Sequence, residues 1–155
     1  VPPEHIRRGY EVLNDQGRVV KVIPPAPSAE EMKHILAERA RASSDAQLLR
    51  LYSTPEDVER ARQRKLAELD SLIGVARSNL QSVRTQQANL QSQAADHERA
   101  GREVPAHLLA QIDNQKAEQA RLKSDILRYQ AVRKEADVSF NADRDRLKVL
   151  LGRNQ

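Results

Sequence analysis

The sequence has no cysteine and no tryptophan, a single phenylalanine, and only 3% aromatic residues over its 155 positions. The absence of cysteine excludes disulfide bonds, thiolate metal sites and cysteine nucleophiles, and it is compatible with any compartment, the cytoplasm included. The scarcity of aromatic residues disfavours a thick globular core, which needs bulky side chains packed at high density. No stretch of sequence approaches the roughly 20 apolar residues of a membrane-spanning helix.

Charge of both signs is abundant. There are 26 basic and 22 acidic residues, which give a formal net charge of +4. The many Ala, Arg, Gln, Glu and Leu residues are typical of long helices, and interspersed charges of both signs are typical of a solvated helical surface. A nucleic-acid binder concentrates positive charge on one face instead, so this composition disfavours nucleic acid as a partner.

The first 27 residues differ from the rest, since five of the seven prolines lie there. Two β-forming runs, 10–13 and 18–23, flank the turn sequence Asn-Asp-Gln-Gly and predict a small β-hairpin. We assign 1–27 to a truncated domain made of this hairpin and Pro-rich sequence. The chain begins with Val1 rather than Met, so we expect a trimmed or processed product.

Start signals predict helices in the remainder of the chain. Ser28 and Glu31 form a capping box that opens a short helix over 28–52. Thr54 is placed to cap the next helix, and Pro55 suits its first position because that residue needs no amide hydrogen.

The same reasoning predicts two long helices joined by a tip. Gly101 is expected to end the first of them, Pro105 to start the second, and Gly152 to end it. We therefore predict a helical hairpin over 54–151 with its tip near 101–105.

Apolar residues recur along both long helices at alternating steps of three and four, the pattern of a coiled-coil seam. The predicted apolar seam residues are Leu66, Leu69, Ile73, Ala76, Leu80, Val83, Leu90, Ala94, Leu108, Ile112, Leu122, Ile126, Tyr129, Ala136 and Phe140. Polar residues fill other seam positions, among them Gln87, Gln115, Gln119 and Arg133. An antiparallel register that places Leu80 opposite Leu122 also places Gln87 opposite Gln115, and we interpret this polar pair as setting the register.

These patterns predict a mainly α fold, in which an antiparallel coiled-coil hairpin follows a shorter helix and a small N-terminal β-hairpin. A seam closed within one chain and a seam closed between the two chains of a homodimer are both compatible with the sequence.

Candidate chemistry is sparse, and we expect neither an enzyme nor a cofactor. The carboxylates lie three or four residues from a base, as ordinary surface pairs do, and a rod of two or three helices has no cleft to shift their pKa values. His97 and His107 flank the predicted tip, but a metal site needs three or four supported ligands. We therefore expect no metal.

Basic residues cluster where the two long helices meet away from the tip. The candidate anion-binding residues are Arg60, Arg62, Arg64, Lys65, Arg144, Arg146 and Lys148. Together with Arg7, Arg8 and Arg18 they would offer a docking surface for anionic lipid, nucleic acid or cell-wall polymer. Interleaved acids cancel part of this field, and no aromatic residue lies there to stack on bases.

The N-terminal residues carry a resemblance. Four stretches of this segment resemble proteobacterial exported proteins with a short N-terminal domain of unknown function. They are Val1-Pro2-Pro3-Glu4, Arg8-Gly9-Tyr10-Glu11-Val12-Leu13, Gly17-Arg18-Val19 and Ile23-Pro24-Pro25. In that domain aromatic-x-aromatic-x-Asp-x-x-Gly precedes a strand and a Pro-Pro turn, and a coiled coil often follows. Here Asn14 replaces the Asp, and the second aromatic residue is missing. The run from Leu51 to Asp57, followed by a long coiled coil, also resembles this group of exported proteins.

The resemblance implies a periplasmic or cell-envelope protein of a Gram-negative bacterium, with its signal peptide removed and no known catalytic residue. Our leading hypothesis is a non-enzymatic structural or protein-interaction module that acts as a coiled-coil spacer or scaffold for a protein partner. The alternative is a binder of anionic polymer, including a membrane surface, through the basic cluster.

Overall fold

The computed structural model describes residues 9–13 and 15–153. Outside these residues lie Asn14 of the predicted turn, His5, Arg7, Arg8 and the Val1-Pro2-Pro3-Glu4 motif. The elements in chain order are β1 (Tyr10–Leu13), β2 (Val19–Ile23), α1 (Ala29–Leu51), α2 (Pro55–Arg99) and α3 (Ala106–Gly152). The prediction of a mainly helical chain with three helices is confirmed. The chain forms two compact units, Val1–Leu51 and Tyr52–Gln155.

In the first unit, β1 pairs antiparallel with β2, and the register shifts between Val12 and Leu13. Gly17 lies in the connecting turn with a φ of 77°, a conformation that glycine adopts without steric cost. α1 begins with the expected capping box. The Glu31 amide donates to Ser28 Oγ at 3.1 Å, and the Ser28 amide donates to Glu31 Oε2 at 3.2 Å.

In the second unit, both ends of α2 are closed by local hydrogen bonds. At its start, the Asp57 amide donates to Thr54 Oγ1 at 3.2 Å, and the Thr54 amide donates to the Asp57 carboxylate at 3.1 Å. At its end, Gly101 has a φ of 71°, and the Arg102 amide donates to the His97 carbonyl at 2.9 Å. This is the Schellman arrangement, which satisfies carbonyls at the end of a helix and explains why α2 stops before Gly101.

α2 and α3 lie side by side and run antiparallel. Glu59 pairs with Arg144, and Asp70, further along α2, pairs with Arg133, which comes earlier on α3. The helices contain 45 and 47 residues, which corresponds to a length of about 70 Å each. Their buried residues are Val58, Leu66, Leu69, Ile73, Ala76, Leu80 and Val83 on α2, and Leu108, Ile112, Leu122, Ile126, Leu147 and Leu150 on α3.

Burial along this helix pair is uneven. The middle holds a cluster of Ala76, Leu80, Val83, Leu122 and Ile126. At the end away from the connection, which we call the base, Val58 is 1% exposed and Leu147 is 0% exposed. Towards the connection at 100–105, which we call the tip, the α2 seam residues Gln87, Leu90 and Ala94 are only half-buried. No helix among the described residues is long and apolar enough to cross a membrane.

Candidate interaction surface

Charged side chains link the two helices at the base. Arg62 Nε donates to Asp137 Oδ1 at 2.7 Å, and its Nη1 donates to Glu59 Oε1 at 2.9 Å. Glu59 in turn accepts a hydrogen bond from Arg144 at 3.3 Å. The hydrogen bond from Arg62 to Asp137, with both carboxylates close by, raises the pKa of Arg62 above its ordinary value. The four side chains form a continuous chain of ion pairs between α2 and α3.

A second cross-helix ion pair lies nearer the middle. Arg133 occupies a position in the predicted seam, and its guanidinium donates to Asp70 Oδ1 at 2.7 Å and to Oδ2 at 3.3 Å. These hydrogen bonds lower the pKa of Asp70, and the charge of nearby Arg77 lowers it further. Arg133 is tolerated in the seam because its charged end reaches a carboxylate on the other helix.

Much of the basic cluster at the base is neutralised by neighbouring carboxylates. Arg60 pairs with Asp57, and Lys65 lies 3.7 Å from Glu68. Arg62 and Arg144 belong to the ion-pair chain, and Arg146 also has an interaction partner. Arg64 and Lys148 are exposed, and neither makes an ion pair in the part of the chain that the structure describes. The base therefore brings the predicted cations to one end of the helix pair, but most of them already contact acids.

Gln87 and Gln115, the predicted register pair, are both half-buried. Gln87 Oε1 is shielded from solvent and accepts no hydrogen bond from the described residues. A buried acceptor without a donor costs about 1–3 kcal/mol, so this amide weakens the seam locally. Its role in setting the register stays a prediction.

One face of the helix pair near the tip is rich in uncharged amides. Gln115 helps to line a shallow groove of about 360 Å³ there. The other side chains lining it are Gln86, Asn89, Leu90, Gln111 and Asn114. The five amide side chains of this groove can donate and accept hydrogen bonds but carry no charge, so this face offers no electrostatic attraction to an ionic ligand.

The opposite face carries a groove that sequence reasoning missed. Its volume is about 580 Å³, and its lining combines apolar and basic side chains from both helices. The lining residues are Arg77, Leu80, Gln81, Arg84, Lys123, Ile126 and Leu127. A sequence signal for it existed in the seven-residue spacing of Arg77 and Arg84, which places both on one helical face.

The two histidines that flank the predicted tip differ in their exposure to solvent. His97 is half-buried and His107 is exposed. Among the described residues, no group of three or more His, Cys, Asp or Glu side chains is placed to hold a metal ion.

Comparison with known proteins gives no relative to guide the interpretation. No family model, curated protein or solved structure matches the chain. The two faces of the helix pair, one uncharged and one basic, and the ion pairs at the base are therefore the features from which a function is inferred.

Proposed function

We propose that this chain is a non-enzymatic structural or protein-interaction module, in which α2 and α3 form an antiparallel coiled-coil hairpin that acts as a spacer or scaffold. In this proposal, the strands β1 and β2 form a small hairpin that precedes it. The rod would hold a protein partner along its side or at its ends.

The extended pairing of α2 with α3 carries the proposal. Cross-helix interactions run from the Glu59–Arg144 ion pair at the base, through the Asp70–Arg133 ion pair, to the apolar cluster around Leu80. Two helices of about 70 Å that contact each other only along a narrow seam leave their outer faces exposed to solvent. That shape suits spanning a distance and presenting side chains along it.

A location in the cell envelope is part of the proposal and rests on the resemblance of the N-terminal segment to exported proteobacterial proteins. The absence of cysteine is compatible with that compartment.

Binding of anionic polymer through the base receives less support. Arg60, Arg62, Lys65 and Arg144 already contact carboxylates, so a polyanion would have to displace acids that are covalently fixed beside them. Under this alternative, the full chain would bind anionic vesicles or single-stranded RNA with a steep dependence on salt. Replacing Arg60, Arg62 and Arg64 would abolish that binding.

Small-angle X-ray scattering with light scattering on the full chain tests the rod. We expect a monomer whose maximum dimension is at least about 70 Å. A compact particle would contradict the proposal, and a dimer would mean that the spacer is an assembly of two chains.

Spin labels test whether the hairpin closes within one chain, because a chain without cysteine accepts labels only where cysteines are introduced. Ser71 and Ala131 are exposed and lie at about the same level, next to the Asp70–Arg133 pair. A Ser71→Cys/Ala131→Cys chain should show a shorter distance than the control Ser71→Cys/Ala110→Cys, whose second label lies about 32 Å further along α3. Loss of the short distance on dilution with unlabelled chain would show that the helices pair between chains.

A further inference from the structure

The groove on the basic face has an apolar floor and basic rims, and we call it the basic groove. Leu80, Ile126 and Leu127 supply the apolar surface, while Arg77 and Arg84 of α2 and Lys123 of α3 supply the charge. Leu127 is 67% exposed, the highest value among the large apolar side chains of the described residues. Burial of this surface by a partner would remove it from water.

The cations of the basic groove differ from several arginines elsewhere on the helix pair. Arg62, Arg121, Arg133 and Arg144 each contact a carboxylate. Arg77, Arg84 and Lys123 are exposed and make no ion pair within the described residues. Lys116 lies two helical turns from Lys123 and extends the same line towards the tip. Arg84 on α2 and Lys123 on α3 therefore present positive charge on the two sides of the groove without an ion pair among the described residues, while the charge of Arg77 also acts on Asp70.

The spacing of these groups matches the repeat of an α-helix. Arg77 and Arg84 are seven residues apart, which corresponds to two turns or about 10.5 Å along the axis. A helix lying in the groove would present side chains on one face at the same interval. Acidic side chains at that interval would meet the rim cations, and the apolar residues between them would cover Leu127.

We propose that the basic groove binds an acidic amphipathic helix of a partner protein. This inference deepens the proposed function, on which it rests, by naming the chemistry of the partner. The charge of the groove calls for an acidic ligand, and its apolar floor calls for an amphipathic one. Nucleic acid fits less well, because no aromatic side chain lines the groove to stack on bases.

The test uses a synthetic helical peptide as the probe, with Leu at seam positions and Glu at the flanking positions. Fluorescence anisotropy of the labelled peptide measures its binding to the full chain. We expect binding that weakens as salt is raised and that falls by roughly tenfold in the Arg84→Glu/Lys123→Glu variant, because attraction at both rims becomes repulsion. The Leu127→Ala variant should also bind more weakly, since it removes apolar surface from the floor.

Two matched controls accompany these variants. Arg64→Glu/Lys148→Glu makes the same change in net charge at exposed cations outside the groove, and it should bind like the unmodified chain. A peptide with Lys in place of every Glu should not bind.

Four results would overturn the inference. The first is no binding of the acidic peptide at about 1 mM, and the second is an equal loss of peptide affinity in both charge-reversal variants. The third is peptide binding that Leu127→Ala leaves unchanged. The fourth is binding of anionic vesicles or RNA at the same residues that is tighter than binding of the peptide. If scattering shows the expected rod and the peptide does not bind, only this inference fails and the spacer proposal stands. A compact particle would remove both.

Discussion

Replacing Gln87 by Leu should stabilise the protein, although it removes a polar group from the predicted register pair. Gln87 Oε1 is buried without a hydrogen-bond donor, and an unsatisfied buried acceptor costs about 1–3 kcal/mol. The residue follows Val83 and precedes Leu90 along the seam of α2, so a leucine there continues the apolar stripe. Because Gln87 is only half-buried, we expect the lower part of that range, a gain of about 1–2 kcal/mol in the free energy of unfolding.

Urea unfolding followed by circular dichroism at 222 nm measures this change. With a urea dependence of about 2 kcal/mol per molar, within the usual range for small proteins, the midpoint should rise by roughly 0.5–1 M. Gln86→Leu is the matched control, since the same chemical change at the exposed neighbouring position should alter the stability by less than about 0.5 kcal/mol.

A loss of stability in Gln87→Leu would refute the reasoning. It would show that the Gln87 amide is hydrogen-bonded in solution, with Gln115 as the nearest candidate of the predicted register. Light scattering on the same variant completes the test of register. If the variant is more stable but no longer monomeric, then the polar residue specifies the pairing at a cost in stability.

Three further changes follow from the described contacts. Leu147→Ala, at a side chain that is 0% exposed, should lower the free energy of unfolding by about 2–5 kcal/mol. Leu109→Ala, at a half-exposed position, should lower it far less. Equal effects of the two changes in urea unfolding would contradict the assigned core. Thr54→Ala removes the cap of α2 and should cost about 0.5–2 kcal/mol, whereas Thr54→Ser should restore most of it; an unchanged melting temperature in the alanine variant would be inconsistent with the cap. Asp70→Asn should destabilise the protein at neutral pH and progressively less as the pH falls. The reason is that the hydrogen bonds from Arg133 lower the pKa of Asp70 in the folded state. The contribution of the Asp70 carboxylate to the free energy of unfolding is therefore present above the unfolded pKa near 3.8 and is lost as the pH falls through the lower folded value. A destabilisation independent of pH between about 7 and 2 would rule out a charge-dependent role.

The ends of the helices could be predicted from the sequence because local chemistry determines them. Ser28 and Thr54 have side-chain oxygens that cap free amides of the following turn, and Gly101 adopts the positive φ that ends α2. Each of these interactions joins residues no more than five positions apart, so a short window of sequence contains all the participants.

The apolar seam was also largely predictable, and its weaker parts show where the pattern stops being sufficient. Leu66, Leu80 and Leu122 are buried as the three-four spacing requires, whereas Leu90 is only half-buried despite the same spacing. Spacing identifies the face of a helix, but burial depends on how closely the facing helix packs at that level.

The ion pairs could not be predicted, and only the α2 side of the basic groove left a sequence signal, because both features depend on geometry between the helices. The sequence marks Arg62 and Arg144 as basic, but only their distances to Asp137 and Glu59 show that these charges are already compensated. The cations that lack a carboxylate partner can be recognised only once the paired cations are known. The cluster at the base was therefore identified from the sequence, and the groove was not.

The position of the ion-pair chain has a mechanical consequence. The first residues of α2 and the last residues of α3 lie together at the base, where Arg62 and Glu59 bridge to the other helix and Val58 and Leu147 are fully enclosed. A tensile load that separates these two ends would act first on the layers at the base, and the apolar cluster in the middle would bear the load only after the base had opened. The two helices should therefore resist force until the base opens and then separate in a single step, rather than lengthen gradually.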